Sequence, residues 1–170
     1  MHELEHRAEE YLPDVIAVTE VKPKRTLAPV QIGEYVLQNY YLFWNGNQTN
    51  TTRGINLYVR HGVEATLADN LCDATFIEAL WVNVKLQHNK LLLLGCIYRS
   101  PNSPATNNNL LLSLFKLAGK QKASHKVIVG DFNLPGIVWS DGLGLGRTPF
   151  ETEFVEALNS APYANGGFSH

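Results

Sequence analysis

Apolar positions in this chain recur with two periods, and the switches between them divide it into elements. Residues 2 to 12 place Leu4, Ala8, Tyr11 and Leu12 on one helical face before Pro13 stops the run. Val15-Ile16-Ala17-Val18 is a continuous apolar stretch of the kind that fills a buried strand, and it ends in Thr19 and Glu20. Residues 21 to 34 hold Pro23 and Pro29 and read as loop, whereas residues 35 to 44 are aromatic-rich and suit a strand. After a polar turn, residues 54 to 60 alternate like a strand, His61-Gly62 turns the chain, and residues 63 to 67 supply a candidate partner. Residues 76 to 86 set Phe76, Glu78, Leu80, Val82, Val84 and Leu86 against Ile77, Ala79, Trp81, Asn83 and Lys85, and a turn at 87 to 90 closes a hairpin into residues 91 to 97. Leu110, Leu111, Leu114, Phe115, Leu117 and Ala118 fall at helical spacing, with Gly119 as the stop. A β-branched run, Val127-Ile128-Val129, breaks at Gly130. Finally Thr148-Pro149-Phe150-Glu151 is a capping box with proline at the first helical position, opening a helix that buries Phe154, Val155 and Leu158. The segment from Ala161 is small, polar and expected to be a flexible tail.

The chemistry collects where buried strands stop. One apolar run delivers Glu20, another Tyr98-Arg99-Ser100-Pro101-Asn102, and a third Asp131 and Asn133. If the third strand continues that far, period-2 geometry puts Asp131 and Asn133 on one side. A carboxylate beside an amide carbonyl is an oxygen-donor pair, suited to a hard cation such as Mg²⁺ and the phosphate it carries. Each residue also has an ordinary use. Residues 131 to 136 hold the Asp, Asn, Pro and Gly of a common turn. Glu20 could simply end a strand at the surface, Tyr98 could be an aromatic at a sheet edge, and Arg99 a solvated cation. Taken together, a phenol, a guanidinium and two acids at strand ends are groups that position a phosphate and neutralise developing charge.

Composition narrows the partners more than the fold. At 170 residues the chain is about one domain. A net charge of −2 without a lysine-arginine stripe means that nucleic acid would have to be held locally or through a metal. Cys72 and Cys96 lack C-x-x-C spacing and fit a reducing, intracellular compartment, with a single bridge left open. The charged start predicts neither a signal peptide nor a membrane span, and hence unused sequons at Asn47 and Asn50. His2-Glu3-Leu4-Glu5-His6 matches H-E-x-x-H formally, but its neighbours Arg7, Glu9 and Glu10 make it the solvated face of a surface helix.

Ala17-Val18-Thr19-Glu20, Ile97-Tyr98-Arg99-Ser100-Pro101-Asn102 and Val129-Gly130-Asp131-Phe132-Asn133, in this order, resemble the endonuclease/exonuclease/phosphatase family with the DNase I-like fold. The likeness is strongest to the endonuclease domains of non-LTR, LINE-type retrotransposons, in which the strands at 54 to 60 and 78 to 82 also have counterparts. It runs from about residue 4 to residue 158 of a single partial domain, residues 1 to 170. The resemblance implies an incomplete four-layer α/β sandwich, two face-to-face β-sheets flanked by helices. It further implies Mg²⁺ as cofactor, with Mn²⁺ as a substitute, bound by Glu20. By the same likeness Tyr98 contacts the scissile phosphate, Asp131 orients or activates the attacking water, and Asn133 holds the phosphate. Arg99 and Asn102 lie near the nucleic-acid backbone.

The implied reaction is hydrolysis of DNA phosphodiester bonds, with DNA as partner and no membrane. Members of the family work in the nucleus, and a reverse transcriptase normally follows the endonuclease in the parent element. The chain departs from the family pattern in two places. It starts inside the first helix, without the preceding strand and its Asn, and it stops without a strand bearing Ser-Asp-His; the terminal Ser169-His170 lacks the Asp. Weak or absent turnover is therefore expected, the alternatives being a catalytically inactive remnant or a phosphatase of the same fold.

Overall fold

The computed structural model describes residues 2–21, 32–45, 53–72, 76–140 and 143–160. Helix α1 (His2–Tyr11) leads into β1 (Val15–Thr19), which pairs antiparallel with β3 (Ile55–Arg60); β2 (Tyr40–Trp44) pairs along the other side of β3. The second sheet has the order β4 (Ala65–Leu67), β5 (Ala79–Lys85), β6 (Leu91–Tyr98), β7 (His125–Asp131). Its first two pairings are antiparallel and the last parallel, because α3 (Ala105–Gly119) carries the chain back between β6 and β7. A one-turn helix α2 (Asp69–Cys72) precedes β5, and a small hairpin of β8 (Val138–Ser140) and β9 (Leu143–Leu145) precedes α4 (Pro149–Ser160).

Three packed zones make these elements four layers, as the sequence led us to expect. Ala8 and Leu4 of α1 meet Ile16, Val18, Leu42 and Tyr58 on the outer face of the first sheet. Ile55, Leu57, Val15 and Phe43 of that sheet face Leu80, Val82, Val84, Leu94, Cys96 and Tyr98 of the second. Trp81, Leu93 and Ile97 point the opposite way, into Leu111, Leu114, Phe115, Phe154 and Leu158 of α3 and α4. β5 and β6 are thus covered on both faces, which is why residues 91 to 97 read as a continuous apolar run instead of alternating. Each fully buried Leu or Phe in these zones stabilises the fold by roughly 1.5–3 kcal/mol. Cys72 and Cys96 are not joined in a disulfide; burial between the sheets pushes the Cys96 thiol up to about 12. No helix among the described residues is long and apolar enough to cross a membrane.

Two local expectations are corrected. Residues 63 to 67 are not the partner of β3, since β1 and β2 already occupy both its edges; the chain crosses over, and β4 pairs with β5. The strand expected from residue 35 begins at Tyr40, because Ile32–Tyr35 forms a 3-10 turn. The polar face of α1 is exposed, and Glu3 there pairs with Arg7 at 2.9 Å. Residues 161–170, with the expected tail and Ser169-His170, lie outside the described residues, as do the sequons at Asn47 and Asn50.

Candidate active site

The registers bring one set of strand ends to one mouth of the sandwich. Thr19 at the end of β1 stands opposite Ile55 at the start of β3, Ala79 at the start of β5 opposite Ile97 near the end of β6, and Tyr98 beside Asp131. Glu20 follows β1 with a left-handed backbone, φ 57°. Its carboxylate accepts from the Arg53 guanidinium at 2.8 Å. Asn45, just past β2, donates through Nδ2 to the carbonyls of Ile77 and Ala79, both at 2.7 Å, and so ties the first sheet to the second beside the mouth.

Tyr98 is 3% exposed and points between the sheets toward Glu20. Burial, followed by the hydrogen bond to Glu20 and the charges of Glu20 and Glu78, pushes its phenol up to about 12. The hydroxyl therefore stays protonated and donates. Glu78 belongs to this cluster, since its carboxylate accepts from the Arg53 backbone N–H at 3.4 Å and its carbonyl from the Tyr98 N–H at 3.0 Å.

Asp131 follows Val127 and Val129 at two-residue spacing, so it lies on the inter-sheet side with Tyr98, and it is exposed. Strand β7 ends there, so alternation does not carry Asn133 to the same side. An Asx turn does the placing instead: the Asn133 N–H donates to Asp131 Oδ1 at 3.1 Å with Asn133 at φ 49°. Both readings of this stretch meet in one structure, a turn that also presents a carboxylate. Gly130 makes it possible. Its φ is 140°, and a Cβ there would stand 1.8 Å from the Ile97 carbonyl oxygen.

Arg99 faces the other way. Only 5% exposed, it donates through Nε to Asn108 Oδ1 at 2.9 Å and through one terminal nitrogen to the carbonyls of Phe132 (3.3 Å) and Asn133 (3.0 Å), and lies 5.2 Å over the Phe150 ring. Asn133 Nδ2 returns a bond to the Arg99 carbonyl at 2.9 Å. Arg99 therefore holds the 131–133 turn from behind. Desolvation lowers its pKa, opposed by the Glu151 charge. Glu151 in turn is 6% exposed; its carboxylate accepts from the backbone N–H of Thr148 at 2.9 Å and Arg147 at 3.1 Å. Burial alone would raise its pKa, but these bonds, the Thr148 side chain and the Gly136 backbone hold it below the ordinary value. Asn102 is exposed in the turn closed by the Ser103 N–H on the Ser100 carbonyl at 3.0 Å.

The structure thus gathers Glu20, Tyr98 and Asp131 at the mouth, places Asn133 behind Asp131, and buries Arg99 beneath the turn. Sequence reasoning missed Arg53, Glu78 and Asn45. Glu78 carried a signal, a carboxylate in register with Leu80 and Val82 on a face otherwise apolar. Among the described residues no three His, Cys, Asp or Glu side chains form a ready metal cluster. Glu20 nevertheless already holds a cation, the guanidinium, with a second carboxylate close by. One or two carboxylates completed by water and substrate phosphate is the donor set Mg²⁺ takes; zinc would need three or four protein ligands.

The architecture has a counterpart among solved structures. The chain resembles the endonuclease domain of TRAS1, a telomere-specific non-LTR retrotransposon, with a TM-score of 0.60 over 94% of its length at 14% identity. The fold is DNase I-like. The chain spans 63% of that domain, less than two thirds. No family model and no curated protein sequence matches it.

Proposed function

We propose that this domain hydrolyses DNA phosphodiester bonds in the manner of a Mg²⁺-dependent endonuclease, with the mouth of the sandwich as its active site. The observation that carries the proposal is the junction of Glu20, Tyr98 and Asp131: the Tyr98 phenol is hydrogen-bonded to Glu20 and paired in register with Asp131, on a fold shared with an endonuclease domain. Glu20, with Glu78 nearby, would hold Mg²⁺, which when bound would offset charge on the phosphate and the leaving oxygen. Tyr98, protonated, donates to a phosphate oxygen; Asp131, exposed and fixed by Gly130 and the Asx turn, orients the attacking water and accepts its proton. Asn133 keeps the turn in shape by donating through Nδ2 to the Arg99 carbonyl.

The three histidines at the turns and strand ends of the sheets are at the wrong end to assist. His61 follows β3, His88 lies in the β5–β6 turn and His125 starts β7, all opposite the mouth. The 170-residue chain is expected to turn over slowly or not at all. The test is nicking of supercoiled plasmid by the purified chain with Mg²⁺ and with EDTA, beside Glu20→Ala and Asp131→Ala. Slow nicking that needs Mg²⁺ and vanishes in both variants supports the proposal. A folded chain as silent as its variants makes it an inactive remnant, and phosphate release from monoesters without nicking makes it a phosphatase.

A further inference from the structure

Arg53 brings a half-exposed guanidinium to the mouth, where it is committed to the carboxylate assigned above to the metal. Its bond to Glu20 is 2.8 Å long, and the two side chains are 35% and 39% exposed, so solvent and solutes reach both partners. Its backbone N–H leans on Glu78 at 3.4 Å, so the residue is anchored at its base while its long side chain stays free to swing. Its charge also acts on Tyr98, lowering the phenol's pKa against the larger upward effects. A cation arriving at Glu20 meets a like charge already seated there, and an exposed ion pair of this kind is weak enough to exchange.

We propose that Arg53 is an exchangeable counter-ion. Its guanidinium neutralises Glu20 while no divalent cation is bound; when one takes the carboxylate, the freed fork turns to the substrate phosphate, which guanidinium matches bidentately. Metal and DNA then bind cooperatively through one side chain, without any movement of the sheets. The inference rests on Glu20 being the metal carboxylate.

Its test is titration calorimetry of wild type, Arg53→Gln, Arg53→Lys and Glu20→Gln with Mn²⁺ alone, followed by binding of a short DNA duplex in Ca²⁺ and in EDTA. Removing the competing charge is expected to tighten Mn²⁺ binding by about two- to fivefold in Arg53→Gln, the range of an exposed ion pair. The same variant is expected to lose DNA affinity by about fivefold or more in Ca²⁺ and to change little in EDTA. Arg53→Lys, which keeps the charge without the fork, should leave Mn²⁺ affinity near wild type and recover only part of the DNA affinity. If Arg53→Gln binds Mn²⁺ as wild type does, or loses DNA affinity equally with and without Ca²⁺, the exchange is refuted. If Glu20→Gln binds Mn²⁺ as tightly as wild type, the underlying metal assignment fails instead, and the two failures are told apart.

Discussion

Replacing Arg99 separates a residue that touches substrate from one that shapes the site. Arg99→Ala removes a buried charged donor from Asn108 and from the carbonyls of Phe132 and Asn133, and takes the cation from over Phe150. Hydrogen bonds to a charged group contribute about 1.5–3 kcal/mol each but not additively, and breaking one partner out of a buried charged network costs about 3–5 kcal/mol. Two carbonyls and a cavity are left behind, and Glu151 loses the neighbouring charge. The expected loss is therefore about 4 kcal/mol, a large share of the roughly 5–15 kcal/mol that holds a domain together. Arg99→Lys keeps the charge but not the fork and should lose about half as much. Urea unfolding followed by tryptophan fluorescence measures both midpoints, and a DNA-binding titration on the folded fraction measures the rest. The reasoning is refuted if Arg99→Ala unfolds within about 1 kcal/mol of wild type while its DNA affinity collapses, for then the guanidinium faces the phosphate and not the turn.

Three further outcomes are expected. Gly130→Ala forces a Cβ into the Ile97 carbonyl at a backbone angle that L side chains rarely adopt, so it should destabilise by about 3 kcal/mol or more, whereas Gly33→Ala, with open space around it, should move the same urea midpoint by under about 1 kcal/mol. Glu151 is held below the ordinary 4.5, so its contribution is fully present above that pH and lost as pH falls through the folded value; the gap in urea midpoint between wild type and Glu151→Gln should be widest near neutrality and shrink in acid. Tyr98→Phe keeps the ring between the sheets and deletes only the donor, so the melting temperature should barely move while any Mg²⁺-dependent nicking falls about a hundredfold.

The strand ends were legible because burial leaves a strong mark on a sequence. An apolar run that stops at Glu20, Tyr98 or Asp131 advertises a polar group at a strand terminus, and the capping box at Thr148 to Glu151 formed as read. What alternation cannot report is which neighbour a strand chooses. Residues 63 to 67 looked like the return arm of a hairpin, yet the edges of β3 were taken by strands from elsewhere in the chain. The direction of Arg99 was hidden for a similar reason. One residue beyond Tyr98 it must face the helices, and only the arrival of Asn108, Phe150 and the 132–133 carbonyls there explains a buried guanidinium. Arg53 sat in what read as a polar turn, 33 residues from Glu20, and no local pattern links a cation to a carboxylate across that distance.

Glu20 and Arg53 ride on one sheet, while Glu78, Tyr98 and Asp131 ride on the other, and the filling between them is Leu57, Leu94, Cys96 and their neighbours. Those side chains work as shims that set the bite of a vice whose jaws are the two sheets. Catalytic groups need placing to within about 0.5 Å, and an error of about 1 Å can cost a hundredfold in rate. A methyl group gained at Cys96 or lost at Leu57, far from the mouth, would change the gap between the carboxylates carried by the two sheets. If the mouth is the active site proposed above, drift in the filling is expected to show first as altered turnover and only later as a weaker fold.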